Sequence, residues 1–307
     1  MKRSKDSILA LVPKVRRFGR LVSAGRSPIM FGMKMGGKVP AVIGVLAVVL
    51  AACASGGAAV PDSTVTTTEP PPPPEITPPV GEPMLPDLMP EPPVDLLLTF
   101  DEGRTIARFS STLVNVGEGD FVLRGERLYG EWTVSQELWY SESGAELIKT
   151  DAKVAWGGDG HDHWHIKRVA NYWLVPLDED GNPVEGGLEL PDSKIGFCFF
   201  DLARRFETGP EEYVYYHTMC GHEDAHEFRM GLSPGWADVY DSTLPGQEID
   251  ITDVEDGMYR VWAEADSGGW FTEADTSNNL TWVNVKLFTR DGVRYADIVD
   301  IGPSPED

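Results

Sequence analysis

An all-β fold is what this sequence predicts: an antiparallel β-sandwich with long loops, preceded by a signal peptide and a proline-rich disordered stalk. Three observations carry that expectation. From Leu85 onward, short β-branched and aromatic runs recur between turn signals. No long stretch of that region keeps the apolar period of a helix. The 24 prolines and 32 glycines are unevenly placed, so part of the 307-residue chain has a composition unsuited to a packed core.

The N-terminal element is an export signal. Val39 to Ala52 form the uncharged apolar run VPAVIGVLAVVLAA, preceded by Lys34, Lys38 and several arginines. A basic flank, a short apolar centre and small residues at its end have the form of a signal peptide, and the run is shorter than the ~20 residues of a membrane-spanning helix. It closes on Leu50-Ala51-Ala52-Cys53-Ala54, which resembles the lipobox of bacterial lipoproteins. Residues 1–53 are therefore expected to be removed up to a lipidated Cys53. The protein is expected to be exported and lipid-anchored to the outer face of the bacterial cell membrane, with no other membrane contact. Met30, Met33 and Met35 would each begin a leader of more ordinary length.

Removing that leader sharpens the charge. The whole chain carries −23, from 26 Lys+Arg and 49 Asp+Glu. Ten of the basic residues and only Asp6 of the acidic ones lie in residues 1–53, leaving 16 against 48, or −32. Such a field excludes nucleic acid and anionic lipid head groups as partners and favours cationic ones. A solvated acidic surface that maintains solubility fits the same numbers.

Residues 54–84 run from Gly/Ala through Thr-rich sequence to EPPPPPEITPPVGEP, which favours extended polyproline II and predicts a stalk. Residues 85–307 form the folded domain. Its strand candidates include TIARFSSTLVNVG, FVLRG, YWLVPL, GFCFFD, EIDIT, MYRVWAEA and LTWVNVKLFTR, broken by EGD, DEDGN, EDG and DSGG. The last part is expected to be a strand, a turn at Gly268-Gly269, an acidic loop and an edge strand, with Asn278-Asn279 tolerating left-handed turn geometry. There is no internal repeat.

The sharpest chemical feature is Gly157-Gly158-Asp159-Gly160-His161-Asp162-His163-Trp164-His165, which holds three of the six histidines. On a strand, residues i, i+2 and i+4 leave from one face, so the three imidazoles can converge on one ion. Imidazole suits copper, zinc, nickel or iron, and three neutral nitrogens with open positions fit either hydrolytic zinc or redox copper. The motif does not choose between them.

Other segments do. Lys194-Ile195-Gly196-Phe197-Cys198 and Gly231-Leu232-Ser233-Pro234-Gly235-Trp236-Ala237-Asp238-Val239-Tyr240 follow the histidines. Gln247-Glu248-Ile249-Asp250-Ile251-Thr252 and Glu273-Ala274-Asp275-Thr276-Ser277-Asn278-Asn279 come next. In this order, over most of Leu85 to Leu287, the chain resembles the lysyl oxidase family. The resemblance implies copper held by His161, His163 and His165, and a lysine tyrosylquinone made by the protein from Lys194 and Tyr240. It implies oxidation of primary amines, lysyl side chains or polyamines, by dioxygen to aldehydes, ammonia and hydrogen peroxide. Asp238, two residues before Tyr240, is a candidate for the base that removes the substrate's α-proton.

Two departures from animal members matter. The segment after the histidines, Arg168-Val169-Ala170-Asn171-Tyr172-Trp173, lacks the further histidine that those members carry. Once Cys53 is lipidated, Cys198 and Cys220 are the remaining cysteines, and outside the membrane they are expected to pair. His217, His222 and His226 lie in the polar segment HTMCGHEDAHEF, which is expected to be a solvated loop. A competing reading is a non-catalytic envelope lipoprotein that binds copper or a partner. A zinc hydrolase is disfavoured because no H-E-x-x-H arrangement accompanies the histidines.

Overall fold

The computed structural model describes residues 77–157, 162–184, 190–191 and 196–306, the backbone alone at 190–191. Cys53, His161 and Lys194 lie outside the described residues, as do the signal and most of the stalk. The described region is built of antiparallel sheets, with no α-helix and one 3-10 turn at His217–Cys220 among the described residues. The all-β expectation holds.

One sheet is organised on the long strand β3 (Arg104–Asn115), which is buried without a break from Phe109 to Asn115 even though Ser110, Ser111, Thr112 and Asn115 are polar. Its outer half pairs β2 (Val94–Asp101) and β14 (Glu248–Asp250), and its inner half pairs β1 (Leu88–Pro90) and β13 (Trp236–Tyr240), which in turn pairs β11 (Ala203–Arg204). A second sheet runs β10 (Leu190–Pro191), β9 (Ala170–Pro176), β15 (Gly257–Ala265), β16 (Leu280–Arg290) and β17 (Val293–Ile301). A third runs β12 (Glu227–Leu232), β4 (Phe121–Leu128), β5 (Glu131–Trp139) and β6 (Ala145–Lys149). The hairpin β7 (Lys153–Trp156) with β8 (Trp164–Lys167) stands apart.

The core joins these sheets through aromatic side chains. Phe109 of β3 meets Tyr172 of β9 with centroids 5.1 Å apart, and Phe121 of β4 meets Phe199 and Phe271 edge-on at 4.9 and 5.0 Å. Each fully buried ring contributes about 1.5–3 kcal/mol of apolar transfer, so these crossings fix how the sheets sit together.

Two expectations needed correction. LTWVNVKLFTR is not an edge strand: β16 lies between β15 and β17, and β17 is the edge. The strongly alternating VRYADIVDI, largely exposed, covers β16's far side. GFCFFD is not a regular strand. It makes one bridge, Phe197 to Ile166, because its backbone donors are spent elsewhere. The turn at Gly268-Gly269 is present, with Gly269 donating to the Asp266 carbonyl at 2.8 Å. Among the described residues, backbone hydrogen bonding with the domain begins at Thr77, whose carbonyl accepts Ala145 N–H at 3.3 Å, and Val80 bridges Ser143.

Candidate active site

The β7–β8 hairpin sets the histidines. Ala155 opposes His165, Trp156 opposes Trp164, and Gly157 donates to the His163 carbonyl at 3.0 Å. The period of two turns His163 and His165 to one side, with ring centroids 4.7 Å apart and nearly perpendicular planes. His165 is buried, and both of its ring nitrogens and His163 Nε2 are out of solvent. Trp164 turns the other way, edge-on to Trp156 at 5.2 Å and Trp132 at 5.1 Å. Its Nε1 donates to the His222 carbonyl at 2.7 Å, and the Arg127 guanidinium lies 5.1 Å above its ring. These contacts hold the residue between the two histidines and so fix the direction of both.

Tyr240 comes from the end of β13, directly opposite Ser111 of β3. Its ring is buried, 4.9 Å from Phe197 and 6.5 Å from His165. The phenol oxygen accepts the backbone N–H of Cys198 at 2.8 Å. Burial, followed by the charge of Asp238, pushes the phenol well above its ordinary pKa, while the Cys198 N–H acts in the opposite direction. Asp238 is fully buried on the same strand, two residues away, as its spacing predicts. The structure therefore brings together His163, His165, Asp238 and Tyr240.

The segment carrying Cys198 reaches this position because Gly196 has no side chain. A Cβ there would lie 2.2 Å from the Ile166 carbonyl oxygen of β8. Phe197 and Ile166 then exchange both backbone hydrogen bonds, at 2.8 and 3.0 Å, tying the cysteine segment to the histidine strand. Cys198 forms the expected disulfide with Cys220. Gly235, at φ +77°, makes the turn that starts β13, and its N–H donates to the Asn115 carbonyl at 2.8 Å.

Several supporting groups had not been singled out as site residues. Ser111, Tyr240's cross-strand partner, donates to Gln247 Oε1 at 2.5 Å. Asp201 accepts Ser233 N and Oγ, both at 2.8 Å, pinning the Gly-Leu-Ser-Pro-Gly turn to the segment after Cys198. The Glu273–Asn279 motif fastens the β1 end: Glu273 accepts Leu88 N at 2.6 Å and Asn279 at 3.1 Å, and Asn278 donates to Asp87 at 2.8 Å. Burial pushes the Glu273 carboxyl up to about 7. His217, His222 and His226 are exposed, consistent with a solvated segment.

The lysyl oxidase family model matches residues 145–295. This match and the curated relatives support a lysyl oxidase family member. The chicken (Gallus gallus) protein-lysine 6-oxidase is 25% identical over 186 residues, which is 60% of this chain and 34% of that protein. The pig (Sus scrofa) protein-lysine 6-oxidase is 25% identical over 184 residues, 60% of this chain and 57% of the relative. Human (Homo sapiens) lysyl oxidase homolog 1 is 25% identical over 183 residues, 59% of this chain and 25% of the relative. This chain thus spans between a quarter and somewhat over half of these relatives' lengths.

Two imidazoles at one edge of a hairpin, close together and with buried nitrogens, are donors of a kind that copper, zinc, nickel or iron accepts, and among the described residues no group of three or more metal-binding side chains is assembled. The third, His161, is outside the described residues.

Proposed function

We propose that this lysyl oxidase family member is a copper-dependent amine oxidase that converts primary amines, lysyl side chains or small amines, to aldehydes with release of ammonia and hydrogen peroxide. His161, His163 and His165 would hold the copper. Copper held there would, with dioxygen, supply the oxidising chemistry for a lysine tyrosylquinone derived from Lys194 and Tyr240, an electrophile toward amines.

The chain's own residues supply position and proton control. The Cys198 N–H fixes the Tyr240 oxygen, and Phe197 and Ser111 fix the ring. Burial keeps the phenol protonated in the resting site. Asp238, buried beside it, is the carboxylate placed to take a proton from Tyr240 during maturation and from the substrate carbon during turnover. The single observation that carries this reading is the meeting of His165 and Tyr240, 6.5 Å apart at the ring centroids, from segments 75 positions apart in sequence.

The proposal includes export and lipidation at Cys53, with the proline-rich segment as a spacer from the outer face of the bacterial cell membrane and no nucleic acid partner. Metabolic labelling with an alkynyl fatty acid checks this: label on the wild type and none on Cys53→Ser is the expected outcome. The function is tested by peroxide release from copper-loaded wild type, Lys194→Arg and Tyr240→Phe. Release from the wild type alone, with copper retained in all three, is expected. Equal release from the variants would remove the quinone.

A further inference from the structure

Tyr240 is the last residue of β13, and the chain leaves the sheet directly after it. β3 pairs β13 at Ser111–Val114 and β14 at Ile106–Arg108, and residues 241–247 join those two strands. Phe109 and Ser110 stand in neither ladder. In place of strand pairing, four consecutive residues of β3 hold the connecting segment. Arg108 Nε donates to the Ser242 carbonyl at 2.6 Å, Nη1 to Glu248 Oε2 at 2.6 Å and Nη2 to the Leu244 carbonyl. Phe109 N–H donates to the Gln247 carbonyl at 3.2 Å, Ser110 Oγ accepts Ser242 N–H at 3.1 Å, and Ser111 Oγ donates to the Gln247 side chain.

Arg108 is the centre of this clasp. One planar guanidinium reaches both ends of the segment, Ser242 and Glu248, and ties them to β3. Its rigid fork of five N–H groups makes that possible, and a single ammonium has no equivalent. Ser242 lies two residues beyond Tyr240, is buried, and has both backbone groups engaged, the N–H by Ser110 and the carbonyl by Arg108. Ser110 is itself fixed, donating to Asp95 at 2.9 Å. Tyr240 is thus held on its N-terminal side by the β13 ladder and on its C-terminal side by Ser242. Arg108 does this from a distance: it leaves β3 from the face opposite to that of Ser111 and its cross-strand partner Tyr240.

We propose that Arg108 is a positioning residue for the reaction of Tyr240, aiming the phenol at Cys198 N–H and toward His165 by gripping Ser242, Leu244 and Glu248. The claim about quinone formation rests on the amine-oxidase reading, whereas the claim about the aim of the phenol does not. Reacting atoms misplaced by about 1 Å lose on the order of 100-fold in rate, so a clasp far from the chemistry controls it through geometry.

The test uses full-length protein with isotope-labelled cysteine and reads amide exchange in deuterated water by NMR. Exchange at Cys198 reports whether the phenol oxygen is in place, without metal or turnover. Arg108→Lys keeps a positive charge opposite Glu248 and removes the fork. Cys198 exchange should quicken about tenfold, Cys220 exchange should stay as it was, and quinone absorbance after copper is added in air should rise about tenfold more slowly at unaltered copper content. Ser110→Ala keeps the guanidinium and removes only the acceptor of Ser242 N–H; it should quicken Cys198 exchange several-fold, and it decides the question if Arg108→Lys does not fold. Unchanged Cys198 exchange in the folded variants overturns the proposal. So does equal quickening at Cys198 and Cys220, which is general loosening, or faster Cys198 exchange with an unchanged rate of quinone formation. Faster Cys198 exchange with no quinone in any protein, wild type included, keeps Arg108 as the residue that places the phenol and refutes the oxidase reading instead.

Discussion

Tyr215 and Tyr240 are both buried and both have phenols raised above the ordinary tyrosine pKa, yet their surroundings differ in one decisive respect. Tyr215 donates its proton to the Asp120 carboxylate, so burial and a facing negative charge both oppose its loss. Tyr240 instead accepts an N–H, which stabilises negative charge on its oxygen as the proton leaves. One phenol is a structural donor. On the proposed reading the other is the one that reacts, near His165. Burial and a neighbouring carboxylate are common to both phenols; the Cys198 N–H is what Tyr240 has besides.

The comparison breaks most directly at Tyr240. Tyr240→Phe should abolish amine-dependent peroxide, and loss of the bond from Cys198 N–H should change stability by about 0.5–1.5 kcal/mol by urea unfolding. Retained peroxide would place the chemistry elsewhere. The Tyr215 region should give the reverse pattern. There Glu137 is 1% exposed between Arg124 at 3.3 Å and Arg229 at 3.0 Å, the same arginine that covers Tyr215. Glu137→Gln leaves two partly buried guanidiniums without their carboxylate and should cost about 3–5 kcal/mol, with copper content in the surviving folded protein unchanged.

Opening the disulfide lies between the two patterns, because Cys198 serves both the fold and Tyr240. Cys198→Ser with Cys220→Ser should lower stability by about 3 kcal/mol and slow quinone formation, read from the rise of its absorbance after copper is added in air. A stability loss with an unchanged maturation rate would show that the Cys198 amide stays in place without the bond. The smallest effect is expected for Tyr215→Phe. It leaves the half-buried Asp120 carboxyl without this donor at about 1–3 kcal/mol and leaves n-butylamine turnover per folded molecule intact.

The sequence was most informative where side chains carry the signal. His163 and His165, and Asp238 on the face of Tyr240, were readable because strand periodicity places them on common faces, whereas Tyr240 itself stood out only through a segment resembling the lysyl oxidase family. The strand cores of β3, β9 and β15 were readable from their β-branched and aromatic runs. GFCFFD misled because consecutive apolar residues fit a buried strand, whereas here Phe197 and Phe199 stack with centroids 5.6 Å apart and the Cys198 amide serves a tyrosine. A backbone donor has no letter in the sequence, so the group that separates Tyr240 from Tyr215 could not be read in advance. β16 was taken for an edge because nothing in its own alternation reports that Val293–Ile301 will return to cover it.

The central claim is that Tyr240 is the tyrosine the protein converts. Peptide mapping of copper-loaded wild type kept in air, with phenylhydrazine to trap any quinone, tests it most directly. The account predicts one crosslinked species joining the Lys194 and Tyr240 peptides, bearing the trapped label, with the Tyr215 peptide unmodified. Separate, unmodified Lys194 and Tyr240 peptides from protein with full copper would contradict it and leave a copper-binding envelope lipoprotein in its place.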